Sequence, residues 1–154
     1  MRFDTTTPPQ GTLRDWIDAR AERGGTAFVF PETEQILNWA DLRDHCAMVA
    51  ADLTAQGIVK GESIVVMHPN GYDGVKALFA ALYGGFRVAM LNLAAGPDAL
   101  GYAMDHSAAW VAFVHEFVQL VHHRLERLPL VGEEHDHLRH ASKIRPAVAR
   151  SLIR

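Results

Sequence analysis

The chain has 154 residues, of which 49% are hydrophobic, the size of one ordinary domain with enough apolar material for a core. A net charge of -3 excludes a global attraction for nucleic acid or an anionic membrane surface. The single cysteine, Cys46, excludes an internal disulfide and reads as a small buried hydrophobe on a helix.

The opening Met1-Arg2-Phe3-Asp4-Thr5-Thr6-Thr7-Pro8-Pro9 has no apolar core of the kind a secretory signal needs, so residues 1–10 read as a flexible N-terminus of a cytoplasmic protein. A first helix is expected from Thr12, with Asp15 three residues on as a capping partner. Leu13, Trp16 and Ile17 share its face, and Gly24-Gly25 ends it. Ala27 to Phe30 and Gln35 to Asn38 are short strand-like runs joined by the polar turn Pro31 to Glu34, a predicted β-hairpin. Asn38 and Asp41 repeat the capping pattern ahead of a second helix whose buried stripe is Leu42, Cys46, Val49 and Leu53, with Gly57 just past its end.

Ile64 to Met67, between Gly61 and Pro69, suits a strand buried on both faces. A third helix starts near Gly71, with Val75, Leu78, Phe79, Leu82 and Tyr83 at helical spacing until Gly84-Gly85. Val88 to Leu91 is the next strand. Pro97 and Asp98 then open a short helix faced by Leu100, Ala103 and Met104, and Trp110 to Val114 forms a last buried strand. The order strand, helix, strand, helix, strand predicts an α/β fold, a partial parallel sheet with flanking helices. Ala77 to Pro97 is long enough to span a bilayer, but Gly84-Gly85 interrupts it and Arg87 would sit near the hydrocarbon centre at a cost of about 3 kcal/mol. A helix followed by a strand explains it better.

The composition changes at His115. The last forty residues hold six of the nine histidines and seven of the fifteen Lys and Arg residues. A helix from Glu116 to Leu128, faced by Phe117, Leu120, Val121 and Leu125, ends at Pro129, and residues 116–154 as a whole read as a divergent, loosely helical or disordered tail.

Motifs for chemistry are sparse. Neither the Gly-x-x-x-x-Gly-Lys-Ser/Thr phosphate loop nor Gly-x-Gly-x-x-Gly occurs, and Lys60 between Gly57 and Gly61 follows a helix end, whose carbonyls repel an anion. Thr5-Thr6-Thr7 lacks the glycines of a phosphate cradle. His115-Glu116 lacks a second histidine, because the partner position is Gln119. His122, His123, His135, His137 and His140, with Glu133, Glu134 and Asp136, form a candidate metal cluster, for which a solvated arginine-rich tail is the plainer explanation. Ser63, Ser107, Ser142 and Ser151 lack a nucleophile signature. No catalytic, cofactor-binding or metal-binding residue is assigned.

The ordered features resemble a known family. Trp39-Ala40-Asp41-Leu42 is similar to the aromatic-x-acid-Leu that opens an early helix in adenylate-forming enzymes, and Gly57-Ile58-Val59-Lys60-Gly61-Glu62 to their Gly-hydrophobic-x-Lys-Gly-Asp turn. Pro69-Asn70, the Gly84-Gly85 stop, Val88-Ala89-Met90-Leu91-Asn92-Leu93, and Leu100, Tyr102 and Asp105-His106-Ser107 follow in the family's order. Leu93 stands where the family often has proline, and Glu62 replaces aspartate. The resemblance covers residues 11–115 and is to the N-terminal segment of AMP-forming acyl-CoA synthetases. These enzymes join a carboxylate to ATP and pass the acyl-adenylate to coenzyme A.

It implies ligase chemistry in the full family, with ATP, Mg2+ and coenzyme A as cofactors and a role in fatty acid metabolism. The family's Ser/Thr/Gly-rich phosphate loop, ribose-binding aspartate, hinge and catalytic lysine have no counterpart in these residues. The expectation is therefore a truncated synthetase, inactive alone, whose tail beyond His115 fits an out-of-frame or degenerated ending. Uncovered sheet edges imply self-association or pairing with synthetase subunits. Two alternatives stay open: an interaction module that pairs with a full-length synthetase or a separately encoded remainder, and a metal-binding histidine-rich tail on an inert scaffold.

Overall fold

A computed structural model describes residues 10–114. The tail, its histidine cluster, the helix expected at 116–128, and residues 1–9 lie outside the described residues.

Helix α1 spans Leu13–Arg23 and opens on the expected capping box. The Asp15 carboxylate accepts from the Thr12 backbone N–H at 2.6 Å, and Thr12 Oγ1 accepts from the Asp15 N–H at 3.3 Å. Two otherwise orphaned donors are thereby satisfied. The helix buries Ile17 and Ala21 rather than the wider face predicted. Leu13 and Trp16 stay exposed, and the Trp16 indole N–H donates to the Gln10 carbonyl at 2.9 Å.

Strands β1 (Thr26–Phe30) and β2 (Gln35–Asn38) form the predicted antiparallel hairpin, with Val29 opposite Ile36 and Phe30 opposite Gln35. Alternation sends Phe28 and Phe30 inward, against Trp39, Phe79 and Tyr72, and leaves Val29 and Ile36 exposed.

Helix α2 (Trp39–Ala55) buries Leu42, Cys46, Val49 and Leu53, the stripe expected from their spacing. Asn38 occupies the N-cap position, but its side chain makes no capping bond. The first helical N–H, that of Trp39, instead donates to the Gly25 carbonyl at 3.0 Å, so the hairpin backbone serves the helix start. At the other end Gly57 (φ 92°) donates to Thr54 O and Ile58 to Leu53 O, a Schellman motif with Ile58 buried.

The second layer is the strand–helix alternation. Strand β3 (Ser63–Met67) is buried throughout. It is followed by α3 (Tyr72–Tyr83), β4 (Arg87–Met90), a 3-10 turn at Leu93–Ala95, α4 (Pro97–Ser107) and β5 (Ala109–Val114). The three strands are parallel in the order β4-β3-β5. The chain thus leaves β3 toward one side and returns past it to the other. Ile64 and Val66 pack into the main core with α2 and α3, whereas Val65 and Met67 pack with Leu100 of α4 on the opposite face. One central strand so separates two apolar layers.

Two predicted faces differ from the structure. The α3 residues buried in the core are Ala77, Ala80 and Ala81 together with Lys76 and Tyr83, while Val75, Leu78 and Phe79 are half-buried and Leu82 is exposed. Small alanines let α2 and α3 approach closely, and the larger side chains turn toward the flanks. Strand β4 runs one residue earlier than expected, and as an edge strand it is half-buried at Val88 and Ala89 and exposed at Arg87 and Met90. Strand β5 is likewise an edge strand, buried at Val111 and Phe113 only. Among the described residues no helix is long and apolar enough to cross a membrane.

Candidate functional site

In an open parallel sheet, ligands sit outside the carboxyl ends of the strands where the winding reverses. Here that position is the end of β3, followed by His68-Pro69-Asn70-Gly71 and then α3. A cleft of about 400 Å3 opens there, lined by Phe30, Glu32, His68, Pro69, Asn70, Gly71, Gly74, Val75, Leu78 and Met90. The hairpin forms one wall, α3 another, and the last residue of β4 a third. The turn is closely packed: an added Cβ on Gly74 would stand 2.5 Å from the Pro69 carbonyl oxygen.

The chemistry available in this cleft is limited. Its lining holds one carboxylate, Glu32, and no lysine or arginine. The first turn of α3 carries Asp73, which offsets the positive end of the helix. A nucleotide triphosphate does not fit these residues, because nothing in the lining balances its charge. Among the described residues no group of three or more His, Cys, Asp and Glu is placed to hold a metal ion.

The glycine turn that drew attention in the sequence lies at the other end of the sheet and is built for packing. Glu62 accepts from the Val59 N–H at 2.7 Å, Gly61 N–H donates to Gly85 O at 3.0 Å, and Arg87 N–H donates to Glu62 O at 2.8 Å. The Lys60 methylenes cover Gly85 so closely that an added Cβ there would meet them at 3.0–3.2 Å. Lys60 thus serves as a lid on the turn after α3, itself a second Schellman motif with Phe86 N–H donating to Ala81 O. Ser63 is buried at the start of β3, and the Ser107 hydroxyl donates to the Met104 carbonyl at 2.7 Å.

Two polar clusters between helices escaped the sequence reading. On α2, burial, reinforced by the nearby Lys76 charge and opposed by Asp73, pushes the His45 imidazole down to about 4. Lys76 itself is buried, with its ammonium 5.0 Å from the centre of the Tyr72 ring. Between α1 and α3, the Tyr83 hydroxyl donates to Asp18 at 2.8 Å, and Arg14 Nε donates to the Tyr83 carbonyl at 3.1 Å while stacking over its ring. Burial first, and then the bond to Asp18, raises the Tyr83 phenol above its ordinary range. Cys46 is buried, and its thiol is pushed up to about 12 chiefly by burial, which makes it inert. These contacts link helices; none of them faces the cleft as a reacting group.

Comparison with known proteins decides the family. The family model described as AMP-binding enzyme matches residues 16–151. The chain belongs to the AMP-binding enzyme family. That match runs past Val114 into the histidine-rich segment. A protein of Aspergillus fumigatus named acyl-CoA ligase sidI is 35% identical over 86 residues, which is 56% of this chain and 15% of that relative. The N-terminal domain of FACL13 from Mycobacterium tuberculosis superposes with a TM-score of 0.70 at 19% identity, over 78% of this chain and 31% of that structure. An anthranilate CoA ligase, AuaEII, solved in complex with anthranoyl-AMP, gives a TM-score of 0.66 at 18% identity, over 78% of this chain and 23% of its own. The chain therefore spans a minor part of the length of the AMP-binding relatives it matches. These likenesses confirm the N-terminal fold of acyl-CoA synthetases.

Proposed function

We propose that this chain supplies the first part of the large domain of an acyl-CoA synthetase, and that these residues do not by themselves adenylate a carboxylate. The reading rests on one observation: a family match across most of the chain, over a fold whose cleft at the sheet's carboxyl end is lined by the carboxylate of Glu32 and by no lysine or arginine. Adenylation needs a triphosphate held, its charge offset, and a carboxylate aimed in line. In this reading ATP, Mg2+ and coenzyme A are held by segments that follow in longer relatives, and residues 10–114 contribute scaffold. A place in fatty acid metabolism accompanies it as a proposal, supported by the name of a structurally similar Mycobacterium tuberculosis protein, fatty acyl CoA synthetase, and cytoplasmic location accompanies it as a proposal that rests on the sequence alone. Carboxylate-dependent ATP–pyrophosphate exchange by the purified chain is the test. No exchange with any of a panel of fatty and aromatic acids is expected, and a robust acid-dependent signal overturns the reading.

A second reading, an interaction module, is favoured by the exposed Val29 and Ile36 pair and by strands β4 and β5 standing at the edges of the described sheet. Co-purification with a full-length synthetase supports it; elution as a monomer from a mixture of the two refutes it. The metal-binding tail concerns residues outside those described, and zinc calorimetry on the whole chain decides it.

A further inference from the structure

We infer that the exposed face of the β1–β2 hairpin is a seat for the basic segment 139–154 of the same chain, held by Glu32 and Glu34 at the turn and by the Val29–Ile36 pair between the strands.

Charge is divided along the chain. Residues 10–114 hold twelve Asp and Glu against seven Lys and Arg. Residues 139–154, outside the described part, hold Arg139, Lys143, Arg145, Arg150 and Arg154 and no acid. The hairpin carries the acidic side of this division in its plainest form. Residues 26–38 contain two carboxylates and no Lys, Arg or His, and among the described residues neither Glu32 nor Glu34 meets an ion-pair partner. Elsewhere Asp15 caps α1, Asp18 accepts from Tyr83, and Glu62 accepts from the Val59 N–H. Glu34 also holds a positive φ of 55°, which asparagine or glycine adopts at lower cost, so the turn keeps its charge against conformational preference.

Apolar surface lies beside these carboxylates. Val29 and Ile36 face each other across the strands, 60% and 59% exposed. The basic segment matches this surface, because Ile144, Val148, Leu152 and Ile153 are interleaved with its cations. Two side chains and two carboxylates fall far short of the roughly 1,000 Å2 that a free partner needs. A segment tethered to the same chain meets them at an effective concentration on the order of 1 mM, so a small contact suffices. The residues between Val114 and Lys143 reach up to about 90 Å when extended, which puts the hairpin within range. At rising protein concentration a second copy competes for the same face, so this cover raises the concentration at which the hairpin self-associates without abolishing it.

Disulfide trapping tests the contact in the full 154-residue chain, where the native Cys46 is buried. Val29→Cys/Val148→Cys is compared with Val59→Cys/Val148→Cys, because Val59 is equally exposed, at 60%, but lies at the other end of the β3 sheet. With diamide as oxidant, the pair at positions 29 and 148 is expected to close within one chain at least about tenfold faster than the control pair. That advantage should vanish when Glu32→Gln and Glu34→Gln are added, and shrink as salt is raised to about 0.5 M. Equal rates for the two pairs overturn the seat. An advantage that survives Glu32→Gln/Glu34→Gln overturns the charge recognition on which the assignment rests. Closure between chains rather than within one names a second copy's segment as the occupant and overturns the proposal. Faster closure of Tyr102→Cys/Val148→Cys also overturns it, since Tyr102 is 71% exposed on α4, the helix that carries Asp98 and Asp105.

Discussion

At the residue scale, two positions decide effects that helix propensity or charge counting would get wrong. Gly74 lies in the first turns of α3, where alanine is ordinarily better by about 1 kcal/mol. Its added Cβ would press on the Pro69 carbonyl oxygen, which belongs to backbone that cannot swing aside. Gly74→Ala is therefore expected to lower stability by roughly 1–3 kcal/mol, read as a drop in the urea midpoint with the slope unchanged. His45 works through protons. Its folded value of about 4 lies below the ordinary 6.5, so the unfolded chain binds a proton that the folded chain refuses. The resulting stability is complete above pH 6.5 and is lost as the pH falls from there toward 4. Because the ring keeps partial access to water, the loss is discounted to about 1 kcal/mol. Urea midpoints at pH 7 and pH 4.5 should converge for His45→Gln and diverge for the wild type. Asp15, held below its ordinary value mainly by the Thr12 backbone N–H, contributes only in a lower window, fading as the pH drops through its folded value.

At the scale of elements, what was legible in the sequence and what was not divide along physical lines. Local signals survived. The Thr12–Asp15 box, the glycines that end α2 and α3, Pro97 at the head of α4, and the Leu42–Leu53 stripe each depend on neighbours within a turn or two. The failures depend on partners far along the chain. Asn38 matches the capping pattern, but Gly25 reaches the helix start first through the hairpin. The α3 pattern marked its largest apolar residues as the buried face, although the close contact with α2 selects the alanines. No spacing rule could have paired Tyr83 with Asp18 and Arg14 across more than sixty residues, because that pairing exists only once α1 and α3 are packed. The clasp makes its own prediction. Tyr83→Phe keeps the ring under Arg14 and removes only the bond to Asp18. It should cost about 1 kcal/mol in chemical denaturation, with Asp18→Asn/Tyr83→Phe costing no more than the larger single change. The cleft was illegible for a related reason: its walls come from β1, the turn after β3, α3 and β4, and no one of them carries a motif.

At the scale of the whole molecule, the described segment has a well-buried centre and unfinished margins. Strand β3 is covered on both faces and both edges, while β4 and β5 each present one edge beyond the described sheet and the hairpin presents Val29 beside Ile36. Such margins favour association, since an uncovered strand edge offers backbone groups and an apolar cross-strand pair offers area. Of the two, the hairpin pair can be altered without touching the core, because both side chains are more than half exposed, at 60% and 59%. Val29→Glu with Ile36→Lys replaces the apolar contact by an opposite-charge pair across the same two strands, so the hairpin keeps a favourable pairing of a few tenths of a kcal/mol while losing its adhesive surface. Sedimentation velocity over a concentration series should show the wild-type chain shifting to faster species and the double variant remaining at the monomer value. A concentration-independent monomer for the wild type would mean that these margins are already covered within the chain. Persistent association of the double variant would instead transfer the adhesive role from the hairpin to the sheet edges, where a lysine on the outer side of β4 or β5 is the next change to make.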